Sequence, residues 1–161
     1  MDFIDLFRNS RKIRKIASGQ TLFYQGDVGT EMFVLLEGSA DILVGKTIVE
    51  IVRPGGIVGE MALIDDERRS ATVVTRTACE LVALSTVDFD RLLHERPDFA
   101  RYVLKTVVHR LRRMNQGLVA AEISNEVAGT DAAQSSNHRQ PAALEGHMGQ
   151  ELTGAEPKKP R

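Results

Sequence analysis

ASGQTLFYQGDVGTEMFVLLEGSADILV, residues 17–44, is a chain of short apolar runs, each closed by a glycine or an acidic residue. The runs cover 21–24, 32–37 and 39–44, and Gly19, Gly26, Gly29 and Gly38 punctuate them. Runs of this length, separated by turn formers, read as strands and not as helices. The same rhythm continues outward to 47–52, 71–75 and 79–84. Upstream, Ile13 and Ile16 belong to an extended stretch that ends at Ser18 and Gly19, and Phe3, Ile4, Leu6 and Phe7 would cover one side of a short helix. Gly45 and Lys46 lie between two β-branched runs and predict a tight hairpin. The sequence therefore predicts an all-β barrel or roll over about 11–85, and periodicity alone does not separate a roll from a sandwich.

After Leu84 the pattern becomes helical. Ser85 or Thr86 can cap a helix with Asp88 and Asp90 in its first turn and Leu92 and Leu93 on its apolar side. Pro97 suits the first turn of a second helix, from about Asp98 to about Glu122. Leu104, Val107, Leu111, Met114, Leu118 and Ala121 recur at three and four, a heptad seam that would pair two copies of the chain. Equally, Val103, Leu104, Val107, Val108 and Leu111 form a stripe that could pack on the roll. Residues 124–161 are rich in Ala, Gly, Gln, Ser and Pro without an apolar period, and are expected to be a disordered tail.

The chemistry concentrates in GEMALIDDERRSATVV, residues 59–74. Gly59 allows positive φ and close approach of a ligand, and Glu60 to Leu63 can make one helical turn. The amides that open such a turn attract an anion, and Arg69 adds a permanent planar charge. Glu60 would repel a phosphate unless the ligand also carries hydroxyl donors, as a ribose does. Taken alone, the same residues also read as a helix-favouring glutamate beside a solvated cluster of Asp65, Asp66, Glu67, Arg68 and Arg69.

The order Gly59, Glu60, Ala62, Leu63, Arg69, Ser70, Ala71 resembles the phosphate-binding cassette of cyclic nucleotide-binding domains, of the catabolite activator and protein kinase A regulatory-subunit type. The resemblance extends over roughly residues 1–120 and includes the glycines of 17–44. It departs at Val58, where the family often has Phe, and at Arg68, where Pro is common. The resemblance implies a double-stranded β-helix (jelly-roll) with carboxy-terminal helices that sense the ligand. It implies ligand contacts from Gly59, Glu60, Met61, Ala62, Arg69, Ser70 and Ala71, with Arg69 on the cyclic phosphate and Glu60 on the ribose. The purine would lie against the roll, covered from the second helix by Arg112, Arg113 or Leu118. Serine after the phosphate arginine, here Ser70, is found in bacterial cyclic AMP activators, so cAMP is expected over cGMP. The family's bacterial activators continue into a winged helix-turn-helix, for which nothing after residue 124 supplies a core, so signalling is expected through helix movement to an effector protein or within a homodimer. The alternatives are an interaction scaffold with a vestigial pocket, or a regulator of transcription lacking its own DNA reader.

Composition agrees. The chain has 161 residues, 42% apolar, 5% aromatic, which suits one core of Val, Ile and Leu. A formal net charge of −1 argues against a nucleic-acid surface, although Arg101, Lys105, His109, Arg110, Arg112 and Arg113 make the second helix locally basic. Cys79 is the one cysteine, so no intrachain disulfide forms and a cytoplasmic location is expected. MDFIDLFRNSRKIRK is interrupted by charge and is not a signal peptide, and no apolar run has the length of a membrane span. Gly45-Lys46-Thr47 lacks the leading glycine of a P-loop, with Ala40 in its place, and His94 and His109 have no companion at metal-ligand spacing. Neither an enzyme nor a metal site nor a cofactor is expected.

Overall fold

In the computed structural model, residues 3–135 are described, with side chains from 4 to 125. A 3-10 turn at Phe3–Leu6 precedes strands β1 (Ile13–Ile16), β2 (Thr21–Phe23), β3 (Glu31–Glu37), β4 (Ala40–Val44), β5 (Thr47–Val52) and β6 (Ile57–Val58). Helix α1 (Met61–Ile64), strands β7 (Thr72–Thr75) and β8 (Cys79–Ser85), and helices α2 (Thr86–Glu95) and α3 (Pro97–Ser135) follow. By internal contacts the chain divides into two units, Met1–Asn115 and Gln116–Arg161.

The strands form two four-stranded antiparallel sheets, β1-β8-β3-β6 and β2-β7-β4-β5. The expected roll is thus observed, and the pairing of the first strands with the last resolves the choice that periodicity left open. Gly45 and Lys46 connect β4 and β5, whose register closes on Val44 opposite Thr47. The unbroken apolar run of β3 is explained by burial on both faces. Its Phe33 and Leu35 join Ile42, Val52, Val58, Val73 and Leu81 in one cluster, while Met32, Val34 and Leu36 join Phe7, Phe89, Phe99 and Val103 in another. The second cluster fastens the helices to the roll.

The helix ends follow the sequence. Ser85, not Thr86, caps α2: its hydroxyl accepts the Asp88 amide and the Asp88 carboxylate accepts the Ser85 amide, a reciprocal box worth about 1 kcal/mol. Lys12 also pairs with Asp88 at 2.5 Å. Pro97 opens α3. Cys79 is buried, and burial pushes its thiol above the ordinary range, as expected of a packed and unreactive side chain.

Two expectations for α3 require correction. The backbone is helical to Ser135, past the end expected near Glu122 and into the segment expected to lack structure; Ala120, Ala121, Ala128, Ala132 and Ala133 are strong helix formers there. Residues 136–161 of the expected tail lie outside the described residues. Nor does the whole stripe pack on the roll: Val103 is buried and Val107 partly so, but Leu104, Val108 and Leu111 are 65%, 43% and 56% exposed. The inward face is instead Phe99, Val103, Thr106, Val107 and Arg110, spaced at three and four.

Candidate functional site

Gly59 turns the chain out of β6 with φ of 81°, and α1 starts two residues later. A Cβ at Gly59 would stand 2.4 Å from Arg69 Nη1, so the glycine is required by both backbone conformation and packing. Met61 and Ala62 place their amides in the first turn of α1, where a helix has no internal acceptor, and Glu60 makes no side-chain cap to them.

Arg69 arrives from the loop before β7 and is 6% exposed. Its Nη1 donates to the Gly59 carbonyl at 2.9 Å and its Nη2 to the Glu31 carbonyl at 2.6 Å. The guanidinium lies 4.1 Å from the centre of the Phe23 ring. Gly29 leaves room for it: a Cβ there would meet Arg69 Cζ, Arg69 Nε and Ala62 Cβ, each at 2.7 Å. Burial lowers the Arg69 pKa from its ordinary value, and the fields of Glu31, Asp27 and Glu60 oppose that shift. Arg69 is therefore no member of a solvated cluster with Asp65, Asp66 and Glu67. Its neighbour Arg68, where the family often has Pro, ties the loop by donating to the Gly26 carbonyl at 3.0 Å.

Glu60 is 1% exposed. Its Oε1 accepts from Arg110 Nη1 at 2.5 Å, across fifty positions of sequence. Arg110 also donates to the Ile57 carbonyl at 2.7 Å and pairs with Glu50 of β5 at 3.0 Å. Burial works to lower the Arg110 pKa, but Glu60 and Glu50 outweigh it and hold the group above its ordinary value.

Among the described residues, two buried side-chain polar atoms have no hydrogen-bond partner: Glu60 Oε2 and Arg69 Nε. One is an acceptor, the other a donor, and both residues line one cavity of about 60 Å³. Ile42, Val58, Ala71 and Val73 of the roll supply its apolar wall, and Gly59, Met61, Ala62 and Ser70 its rim. The Ser70 hydroxyl lies 3.4 Å from Met61 Sδ.

Every residue expected to contact the ligand, Gly59, Glu60, Met61, Ala62, Arg69, Ser70 and Ala71, lines one cavity, while Leu63 of the same cassette packs in the core. Of the candidate covers, Arg112 and Arg113 do not line it: both are exposed, with Arg113 Nη1 3.8 Å from Glu50, while Leu118 belongs to the second unit and is 65% exposed. The residue of α3 that lines the cavity is Arg110, which the sequence marks only as one of a basic stripe. Its place four residues after Thr106 and seven after the buried Val103 was the available signal. Phe23, Gly29 and Glu50 were also missed as parts of the site. No group of three or more His, Cys, Asp or Glu among the described residues could hold a metal ion, and no described helix is long and apolar enough to cross a membrane.

Roll, glycine turn, buried carboxylate and buried arginine define a sensor-type domain for an anionic ligand bearing hydroxyls. Residues 13–96 match the cyclic nucleotide-binding domain, and the chain belongs to that family. The cyclic nucleotide-gated potassium channel RHE_CH03180 of Rhizobium etli is 36% identical over 97 residues, which are 60% of this chain and 27% of the channel. This chain thus spans about a quarter of that relative's length. The Catabolite Activator Protein of Thermus thermophilus superposes with a TM-score of 0.62 at 27% identity, over 74% of this chain and 57% of that one. A chain solved in work on a cyclic-GMP-dependent signalling pathway in bacterial phytopathogenesis gives 0.57 at 32% identity, over 68% and 89%.

Proposed function

We propose that this chain binds a purine cyclic nucleotide, cAMP in preference to cGMP, and reports its presence through α3. The observation that carries the reading is the pair of orphaned atoms, Glu60 Oε2 and Arg69 Nε, on two residues that line one cavity. Each unsatisfied buried group costs about 1–3 kcal/mol, and a single ligand offering a hydroxyl donor beside an anionic acceptor relieves both. In a cyclic nucleotide these are the ribose hydroxyl and the cyclic phosphate. Arg69, the amides of Met61 and Ala62, and the Ser70 hydroxyl bind the phosphate, and Glu60 binds the ribose. The base lies along Ile42, Val58, Ala71 and Val73. Arg110, in place of Arg112, Arg113 or Leu118, is the group of α3 that meets it. The preference for cAMP rests on Ser70; the relatives' names point to both nucleotides.

The relay follows from competition. Arg110 and the ribose share one carboxylate, and a cavity of about 60 Å³ is small beside the roughly 300 Å³ or more of ligand pockets. Arg110 Nη1 must therefore leave Glu60, and because α3 carries the side chain the change is passed to that helix. A nucleotide shifts the helix population only by the ratio of its affinities for the two states, about 1.4 kcal/mol per tenfold. The exposed Leu104, Leu111 and Met114, with Val107 and Leu118 of the heptad seam, offer α3 to a second copy, and an effector protein is the other receiver. The lone, buried Cys79 suits a reducing cytoplasm.

Calorimetric titration of the purified protein with cAMP and with cGMP tests the reading. Binding of cAMP more tightly than cGMP is expected; no heat from either at millimolar nucleotide would refute it.

A further inference from the structure

The grip on Arg110 is uneven. Its Nε and Nη2 donate to the two oxygens of Glu50, at 3.0 and 3.3 Å, whereas Nη1 alone reaches Glu60. The Glu50 contact is thus the two-point fork that fixes a guanidinium in plane, and the Glu60 contact is a single point. Glu50 sits in β5, the edge strand of its sheet, between Val49 and Ile51, which are 48% and 42% exposed, yet its own side chain is 17% exposed. A half-buried carboxylate among exposed β-branched neighbours contributes nothing to the strand's own pairing. Arg113 also approaches it, at 3.8 Å, so two cations of α3 meet on this one side chain.

We propose that Glu50 is a positioning residue for nucleotide binding: it retains Arg110 when the ribose takes Glu60, and so keeps the released Nη1 aimed at the nucleotide. This rests on the nucleotide reading given above. Losing Glu60 to a ribose leaves Arg110 its fork on Glu50 and its bond to the Ile57 carbonyl. Losing Glu50 leaves Arg110 its bond to the Ile57 carbonyl and, as its one charged partner, the very carboxylate the ligand needs, so Arg110 then competes more strongly with the ribose.

The test is a double-mutant cycle by calorimetry with cAMP on the wild type, Glu50→Gln, Arg110→Met and the pair, with thermal melts alongside. Glu50→Gln is expected to weaken binding about 5- to 10-fold alone and by less than about twofold when Arg110 is already Met, because the effect passes through the arginine. Glu50→Asp, which keeps the charge, is expected to recover part of the loss. Equal losses in both backgrounds, unchanged or tighter binding in Glu50→Gln, or no recovery in Glu50→Asp would each overturn the role. Wild type that binds neither cAMP nor cGMP would overturn the nucleotide reading and this one with it, whereas a binding wild type with additive losses overturns this one alone.

Discussion

Replacement of Arg69 by alanine probes the site most directly, because its bonds within the fold are distinct from the role proposed for it toward a ligand. For the fold, the side chain supplies donors to the Gly59 and Glu31 carbonyls and a stacking surface for Phe23. Hydrogen bonds from a charged donor are each worth about 1.5–3 kcal/mol, and part of this returns because a desolvated charge disappears, leaving roughly 2–4 kcal/mol of destabilisation. For the ligand, on the proposed reading the loss is the charge-assisted bond from Nε to phosphate, again about 1.5–3 kcal/mol, or about 10- to 100-fold in affinity. Calorimetry with cAMP reads the second quantity and a thermal melt the first. Arg69→Lys keeps the charge without the planar fork and should fall between alanine and wild type in affinity. Folded Arg69→Ala that binds cAMP within about twofold of wild type would refute the phosphate assignment.

Gly29→Ala should reproduce part of this from a distance, since its Cβ would stand 2.7 Å from the Arg69 guanidinium; overpacking costs about 1–3 kcal/mol, read as a lower Tm together with weaker cAMP binding. Asp88 is held at a pKa of about 2, below its ordinary 3.8, first by the hydrogen bond from Lys12 and then by that from Ser85. A depressed carboxylate stabilises the fold fully above about pH 4 and loses that contribution as the pH falls toward 2. With Lys12 half exposed, the advantage of wild type over Asp88→Asn should shrink by about 1 kcal/mol between pH 5 and pH 2.5 in urea unfolding; a constant difference would contradict the assignment. Glutamate at both Leu104 and Leu111 should convert a dimer to a monomer by light scattering after size exclusion, and a monomeric wild type would dismiss the seam.

What the sequence disclosed depended on how far apart the cooperating residues lie. Gly59, Glu60 and Arg69 fall within eleven positions, so their order alone is informative, and the roll was legible because each strand carries its own apolar run and turn. The cover of the cavity was not, because Arg110 reaches Glu60 across fifty positions and resembles its basic neighbours in type. Only the burial of Phe99 and Val103 identifies the inward face of α3 and so singles out one arginine from the stripe. Glu50 was invisible for a similar reason: a polar residue in an edge strand ordinarily faces water, and its partner is sixty positions away. The length of α3 was underestimated because the helix is favoured past Glu122 by alanine, which leaves no amphipathic signature.

The narrowness of the cavity has a consequence in time. Arg69 is held by the Gly59 and Glu31 carbonyls and stacks on Phe23, so on the proposed reading it waits in place and adds no delay to capture. On that reading, entry depends instead on how often the Arg110 side chain leaves Glu60. At low nucleotide, association rises with concentration; at high nucleotide it should level off at the opening rate of that single contact. On the same proposed reading, once nucleotide is plentiful the speed at which the domain answers is set by an ion pair inside the protein and no longer by the arrival of the messenger.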